Sequence, residues 1–316
     1  MVRRSRTAEE ATMQNPVPSR KDVFATITEK IVTAVEAGAD EFRMPWHGGI
    51  MPPEFPLNAA TQKPYRGVNV VSLWAEAMLG RYISGHWASY KQWQSIGAQV
   101  RKGSRGAPIV FYKALVSEQE DGEPADEDGK SASGYIARLS YVFNADQVDG
   151  WTPPIPEPKT IIQLNEEVAA FITGIGADIR HGSHRACYRH DLDRIEIPEP
   201  SSFIGTRTST PTEAYHSVLL HETVHWSGAP QRLNREFGRR FGDETYAFEE
   251  LIAELGAAFL CSAFRIAIEP RADHAAYIAS WLTVLGRDHK AIFKAASRAR
   301  EAFEYLRALA TPMSDC

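Results

Sequence analysis

The chain has 316 residues, 43% of them hydrophobic and 24% charged, with a formal net charge of −5, a length and composition that admit two globular domains and exclude fibrous or wholly disordered classes. Cys187, Cys261 and Cys316 form no CxxC pair, so no disulfide framework is indicated and a reducing cytoplasm is the expected location. No apolar run approaches a membrane span, and residues 1–20 have a basic start without an apolar core, which reads as a disordered arm and not as a signal peptide.

From residue 21 to 150 the pattern is that of an α+β domain. Val23, Ile27, Ile31 and Val35 give Asp22 to Ala37 a helical stripe that stops at Gly38. A Pro- and Gly-rich stretch, Met44 to Lys63, leads to Tyr65-Arg66-Gly67-Val68-Asn69 and a helix near Val70 to Leu79. Gly97 to Gly106 reads as a strand and tight turn, followed by a strand from Pro108 to Leu115 that pairs with Tyr135 to Phe143. The acidic run between them, Glu118 to Asp128, reads as a solvated hairpin loop.

Between Lys63 and Lys113 eight basic residues face a single acid, Glu76, and aromatic residues are interleaved with them. Cations that track phosphates beside flat rings that stack on unpaired bases suit single-stranded nucleic acid. Stacking requires exposed rings. Trp74, Trp87 and Phe111 are expected in the core, which leaves Tyr65, Tyr90 and Trp93 as stacking candidates, with Arg66, Lys91, Arg101, Lys102 and Arg105 for the phosphates.

Trp151 to Pro158 is a stiff, proline-rich connector, placing a linker at 151–159 and a second domain at 160–312. Within it Thr160 to Thr173 should be a helix, Ala186 to Ile197 a hairpin or edge strand, and Asp273 to Leu285 and Lys290 to Leu309 amphipathic helices with Trp281 and Ile292 inside and His274 and His289 at the surface. Thr210-Pro211-Thr212-Glu213 is a capping box with proline at the first helical position, and Gly228 is the stop signal of a helix from Pro211 to Trp226. That helix carries His221-Glu222-Thr223-Val224-His225. Four-residue spacing sets both imidazoles on one face, ready to grip one divalent ion, with Glu222 beside a metal-bound water as general base.

A catalytic site of this kind needs a third protein ligand. The metzincin pattern would place a histidine at position 231, where the chain has Gln231. The other source is a helix from Tyr246 to Phe264, in which Glu250 and Glu254 project among Leu251, Ile252, Leu255 and Phe259. Buried carboxylates there call for a cation. Gly256, Ala257 and Ala258 would let that helix pack closely on the first, and Glu249 is expected to be a solvated surface acid. The ExxAE run resembles the ExxAD of glutamate-zincin peptidases, which implies Glu250 as metal ligand and Glu254 as the carboxylate that holds a ligand histidine from behind. The chemistry such a site supports is amide hydrolysis with Zn2+, or with Mn2+ or Co2+ in its place. A donor to the transition state has to come from His184, Tyr188, Arg189 or His190, and the residues do not choose among them.

The chain as a whole resembles the ArdC family of plasmid antirestriction proteins. The N-terminal half is similar to that family's single-stranded-DNA-binding domain, shared with TraC primases, through Pro45-Trp46, Tyr65 to Asn69, Trp87-x-Ser89-Tyr90-Lys91-Gln92, Gly97 to Gly106 and Val142 to Gln147, with Ser89 where threonine is commoner. The C-terminal half is similar to its zincin-like metallopeptidase domain through Asp193-Arg194-Ile195, His221 to Gly228, Arg232-Leu233-Asn234 and Glu249 to Leu260. The resemblance implies an α+β protein of two domains, the second mainly helical with a small sheet, that binds the transferred DNA strand and protects incoming plasmid DNA during conjugation. Two other readings stay open: a DNA-binding protein whose metal only braces the second domain, and a metalloprotease acting on a host regulator protein.

Overall fold

Val23, Ile27, Ile31 and Val35 recur every fourth residue along helix α1 (Arg20–Gly38), and all four are buried, so the apolar stripe read in the sequence is the face that packs. The computed structural model describes residues 20–39, 44–47, 54–114, 135–154, 160–206, 209–238, 244–267 and 274–310. Residues 1–19 of the arm, the acidic run at 118–128, residues 155–159 of the connector and the side chain of His274 lie outside the described residues.

Among the described residues six strands belong to the N-terminal domain: β1 (Leu57–Asn58), β2 (His86–Ala88), β3 (Gln99–Val100), β4 (Ala107–Ala114), β5 (Tyr135–Asn144) and β6 (Val148–Asp149). They form a four-stranded sheet in the order β1-β2-β5-β4 and a small ribbon of β3 with β6. The long β4–β5 pair is antiparallel, with Ala107 opposite Val142 and Ala114 opposite Tyr135, as alternation on either side of the acidic run predicts. Helix α2 (Val68–Gly80) is tied to β4 by Asn69, whose Nδ2 donates to Val110 O at 2.9 Å while its Oδ1 accepts the Val110 N–H at 2.7 Å. Helix α3 (Tyr90–Ser95) starts at a capping box in which Ser89 and Gln92 hold each other's backbone N–H, so the hydroxyl at position 89 has a structural task.

The C-terminal domain is mainly helical. Helix α4 (Ile161–Ile175) is capped by Thr160 and ends at Gly176 with φ 72°, a left-handed stop that suits glycine. Strands β7 (Asp178–His181), β8 (Cys187–Arg189) and β9 (Arg194–Ile197) form a sheet in the order β7-β9-β8, with β8 antiparallel to β9 and at the edge. Helices α5 (Pro211–Ser227), α6 (Glu244–Phe264), α7 (His274–Arg287) and α8 (Ala291–Ala310) complete it, and α6 packs against the other three. Trp281 and Ile292 are in the core and His289 is exposed.

One hydrophobic cluster spans both domains, from Val23 on α1 to Leu306 on α8. Phe55 and Trp74 from the first half meet Phe259 of α6 at ring centroid distances of 6.1 and 5.7 Å, which ties the sheet domain to the helix that carries the acidic residues. No helix among the described residues is long and apolar enough to cross a membrane.

Candidate metal centre

The Thr210 side chain accepts the Glu213 N–H and Glu213 returns the bond to the Thr210 N–H, which fixes the start of α5 and the phase of its faces. Helix α6 lies close enough that a Cβ added at Gly256 would stand 2.9 Å from both methyl carbons of Val224, a contact no ordinary side chain tolerates. Close approach at Gly256 brings the carboxylates of α6 within reach of the histidines of α5. The Nε2 atoms of His221 and His225 lie 3.5 Å from Oε2 and Oε1 of Glu250, respectively, and the two rings are 4.9 Å apart. Donor atoms of these three side chains fall within 4.8 Å of one another, all buried. Two imidazole nitrogens and a carboxylate oxygen are the donor set of a divalent site that keeps an open position.

Charge argues the same way. Glu222, Glu249, Glu250 and Glu254 are all buried around this point, and the buried arginine beside them is Arg235. Burial opposes the charge of His225, but Glu250 and Glu249 outweigh it and push its pKa up to about 10. Glu250 is likewise held well below the usual carboxylate range, because the two histidines overcome the effect of burial. Four buried carboxyl groups gathered around one buried arginine make a setting in which a divalent cation would balance charge.

Each histidine is backed by a second carboxylate. Glu249 Oε1 lies 3.2 Å from His225 Nδ1, and Glu254 Oε2 lies 3.6 Å from His221 Nδ1. The expectation for Glu249 was wrong: it is 3% exposed, and Arg235 grips it with Nε at 3.0 Å from Oε2 and Nη2 at 2.8 Å from Oε1. Helical phase places position 249 on the inward side beside position 250, and only the partner arginine, fourteen residues upstream, explains why an acid is tolerated there. Arg235 also donates to Val224 O at 2.6 Å and to Ser227 Oγ at 3.0 Å, so it clamps the last turn of α5.

Glu222 accepts the Tyr188 N–H at Oε2, at 2.9 Å, which sets the edge strand β8 alongside the centre. The pocket over this point has a volume of about 490 Å3 and is lined by β8, the histidines, His190, Phe237, Tyr246 and Tyr277. The four donor candidates separate. His184 is exposed and does not line the pocket, and Arg189 is engaged by Asp191 at 2.8 Å. The Tyr188 hydroxyl donates to Asp193 at 2.8 Å and accepts from Arg232, so it is a structural anchor. His190 lines the pocket, its ring 4.0 Å from that of Phe237, and burial together with nearby His225 lowers its pKa. The sequence reading passes over Tyr246, which also lines the pocket one helical turn before Glu250 and meets the Tyr277 hydroxyl at 3.3 Å. Burial and the Glu250 charge push its pKa far up, so the hydroxyl stays a donor. The i, i+4 spacing from Glu250 is the signal that could have found it.

The expected DNA-contacting residues fall in two places. Tyr90, Gln99, Arg101, Lys102 and Phe143 line an open groove of about 730 Å3, with Lys91 exposed next to Tyr90 and Arg105 exposed just past the turn. Tyr90 is 42% exposed, and Arg101 is paired with Asp149 at 3.0 Å. Tyr65 and Arg66 line a separate cavity of about 540 Å3 with Phe259 and Phe303. The Tyr65 hydroxyl is bonded to Asn58 and Trp87 O, and burial pushes its pKa up to about 12. Two expectations are corrected. Trp93 is fully buried and donates to Phe143 O at 3.0 Å, so it offers no stacking face, whereas Phe111 is 62% exposed, because strand alternation turns it to the face opposite the buried Val110. Trp74 and Trp87 are in the core as expected.

A family model described as the N-terminal domain of anti-restriction factor ArdC matches residues 21–143, and a zincin-like metallopeptidase model matches residues 166–298. The fold superimposes on the crystal structure of the antirestriction protein ArdC from plasmid R388 in its metal-free form, with TM-score 0.70 and 35% identity over 92% of this chain and 98% of that one. The chain belongs to the ArdC family of antirestriction proteins. The Mn(II)-bound structure of R388 ArdC matches with TM-score 0.71 and 33% identity, covering 92% of this chain and 99% of that one. The uncharacterized protein y4eC of Sinorhizobium fredii is 43% identical over 292 residues, 91% of this chain and 92% of its own length. A DNA primase TraC of Escherichia coli is 33% identical over 91% of this chain, which spans only 27% of the primase. ArdC-family architecture thus accounts for both domains, the second zincin-like.

Proposed function

We propose that this protein binds single-stranded DNA along the groove at Tyr90 and Lys102, carries a divalent metal on His221, His225 and Glu250, and acts as a metallopeptidase-type hydrolase in the defence of incoming plasmid DNA against restriction. The observation that carries the metal reading is the convergence of three buried donors from two helices within 4.8 Å. A Mn(II)-bound structure of an ArdC relative at 33% identity supports a divalent ion, with Zn2+, Mn2+ and Co2+ all compatible with two imidazoles and a carboxylate. A bound ion there supplies a carbonyl-polarising charge and a water of lowered pKa.

The chain's own residues do the rest. Glu222, oriented by the Tyr188 N–H, takes the proton of the attacking water and returns it to the departing amine. Tyr246 or His190, both in the pocket wall, donates to the developing oxyanion. The edge strand β8 is suited to hold an extended peptide. In the N-terminal groove the exposed Tyr90 ring stacks on a base while Lys91, Lys102 and Arg105 meet phosphates. These partners imply a cytoplasmic protein.

A Glu222→Gln variant tests the hydrolase. It should retain metal and DNA binding and lose protection against restriction in conjugation assays. Full protection would leave a DNA-binding protein with a bracing metal as the better account. Gel shifts with single-stranded and duplex DNA at several salt concentrations test the other half, and binding to neither would favour a protease acting on a host protein.

A further inference from the structure

Two side chains from outside the zincin-like domain reach the back of the metal centre. Trp46 and His47 lie within the span matched by the N-terminal family model, yet both contact Glu254 on α6. His47 Nε2 is 2.6 Å from Glu254 Oε1, and Trp46 Nε1 donates to the same oxygen at 3.3 Å. The direction of the histidine bond is fixed, because His47 Nδ1 accepts the Met44 N–H at 3.2 Å and leaves Nε2 as the protonated nitrogen. Trp46 is wedged beside Trp281, ring centroids 6.3 Å apart, and Trp281 in turn donates to Ala247 O of α6 at 3.0 Å. All of these groups are buried.

The two histidines of the centre are therefore supported differently. His225 is backed by Glu249, which Arg235 of the same domain holds. His221 is backed by Glu254, whose far oxygen is held by Trp46 and His47 from the other domain. At 3.6 Å Glu254 makes an ion-pair contact with His221 Nδ1 that is longer than a hydrogen bond, and a carboxylate so placed orients the ring and favours a proton on Nδ1, leaving Nε2 for the ion. We propose that Trp46 and His47 are positioning residues of the metal centre, supplied by the N-terminal domain to hold Glu254 behind His221, so that seating of this segment and metal occupancy are linked. By reciprocity, metal binding must then tighten the segment as much as the segment tightens the metal. The inference rests on the metal reading of His221, His225 and Glu250.

The experiment measures affinity for Mn(II) and Zn(II) alone, by chelator competition, in the full-length protein. His47→Ala should bind roughly 10–100-fold more weakly than wild type with unchanged helical circular dichroism, and His47→Gln, which keeps an N–H toward Glu254, should recover most of the loss. The Co(II)-loaded variant should also show an altered visible spectrum, which a merely structural defect elsewhere would leave alone. Affinity of His47→Ala within twofold of wild type would overturn the proposal while leaving the metal site intact. Wild type binding no ion would remove the site and the proposal with it. A complementary measurement needs no variant: metal should slow amide exchange at Trp46 and His47 in wild type, and unchanged exchange there counts against the link.

Discussion

Arg235 forks onto Glu249, with Nε 3.0 Å from Oε2 and Nη2 2.8 Å from Oε1, and both side chains are only 4% exposed. A buried bidentate pair of this kind is costly to split, since removing one partner strands the other charge without solvent. Arg235→Met should destabilise the metal-free protein by about 3–5 kcal/mol in urea denaturation. It should also weaken metal binding, because Glu249 would no longer be pinned behind His225. Arg235→Lys, which lacks the fork, should rescue little of either.

His225 gives the metal-free protein a pH signature. Its pKa is raised from 6.5 to about 10 against the effect of burial by Glu250 and Glu249. A raised histidine contributes its stability in full below the unfolded value and loses it as pH climbs through the folded value. The melting temperature of metal-free protein should thus fall between about pH 6.5 and pH 10 through this pair. Metal competes with that proton, so titration calorimetry near pH 8 in buffers of different ionisation enthalpy should report release of about one proton per ion bound. No buffer dependence would contradict the assignment of His225 as a ligand.

Gly256 sets the separation of the two helices that form the centre. Alanine there gains helix propensity of about 1 kcal/mol but drives its methyl against Val224, one residue from His225. Gly256→Ala should lose about 1–3 kcal/mol of stability and bind metal more weakly, and Val224→Ala in the same chain should restore part of both. Additive losses in the double variant would show that the contact is not the cause.

Tyr90 and Trp93 should behave differently toward DNA although they share a six-residue helix. Tyr90→Ala should weaken single-strand binding by about 1–3 kcal/mol in a fluorescence titration. Lys102→Ala should reduce the slope of log affinity against log salt by about 0.7. Trp93→Phe should lower thermal stability, since the buried indole bonds to Phe143 O at 3.0 Å, and should leave the salt slope alone. Equal loss of DNA affinity from Tyr90→Ala and Trp93→Phe would argue against a stacking platform at Tyr90.

The helices and the grouping of His221, His225 and Glu250 are legible in the sequence because local rules govern them. A capping box at Thr210, four-residue spacing of His221 and His225, and carboxylates among apolar neighbours at 250 and 254 each carry their own physical reason. What sequence could not give was long-range pairing. Nothing local says that Arg235 waits for Glu249, or that His47 lies 207 residues from its partner Glu254, so local rules assign the first acid to solvent and give the histidine no role. Burial within the basic stretch was equally hidden. Trp93 and Tyr90 differ by three positions on α3, and only the sheet that α3 packs on decides which ring is covered. Gly228 is a further case: it ends α5 with an ordinary φ of −80°, and its lack of a side chain makes room for the Arg235 guanidinium, 2.7 Å from where a Cβ would be.

The direct test is a crystal structure of this protein grown with Mn(II), with the ion located by anomalous scattering. One peak per chain is expected, bounded by His221 Nε2, His225 Nε2 and a Glu250 oxygen, and lost in His221→Ala. A peak elsewhere, or none at this point under saturating Mn(II), would contradict it.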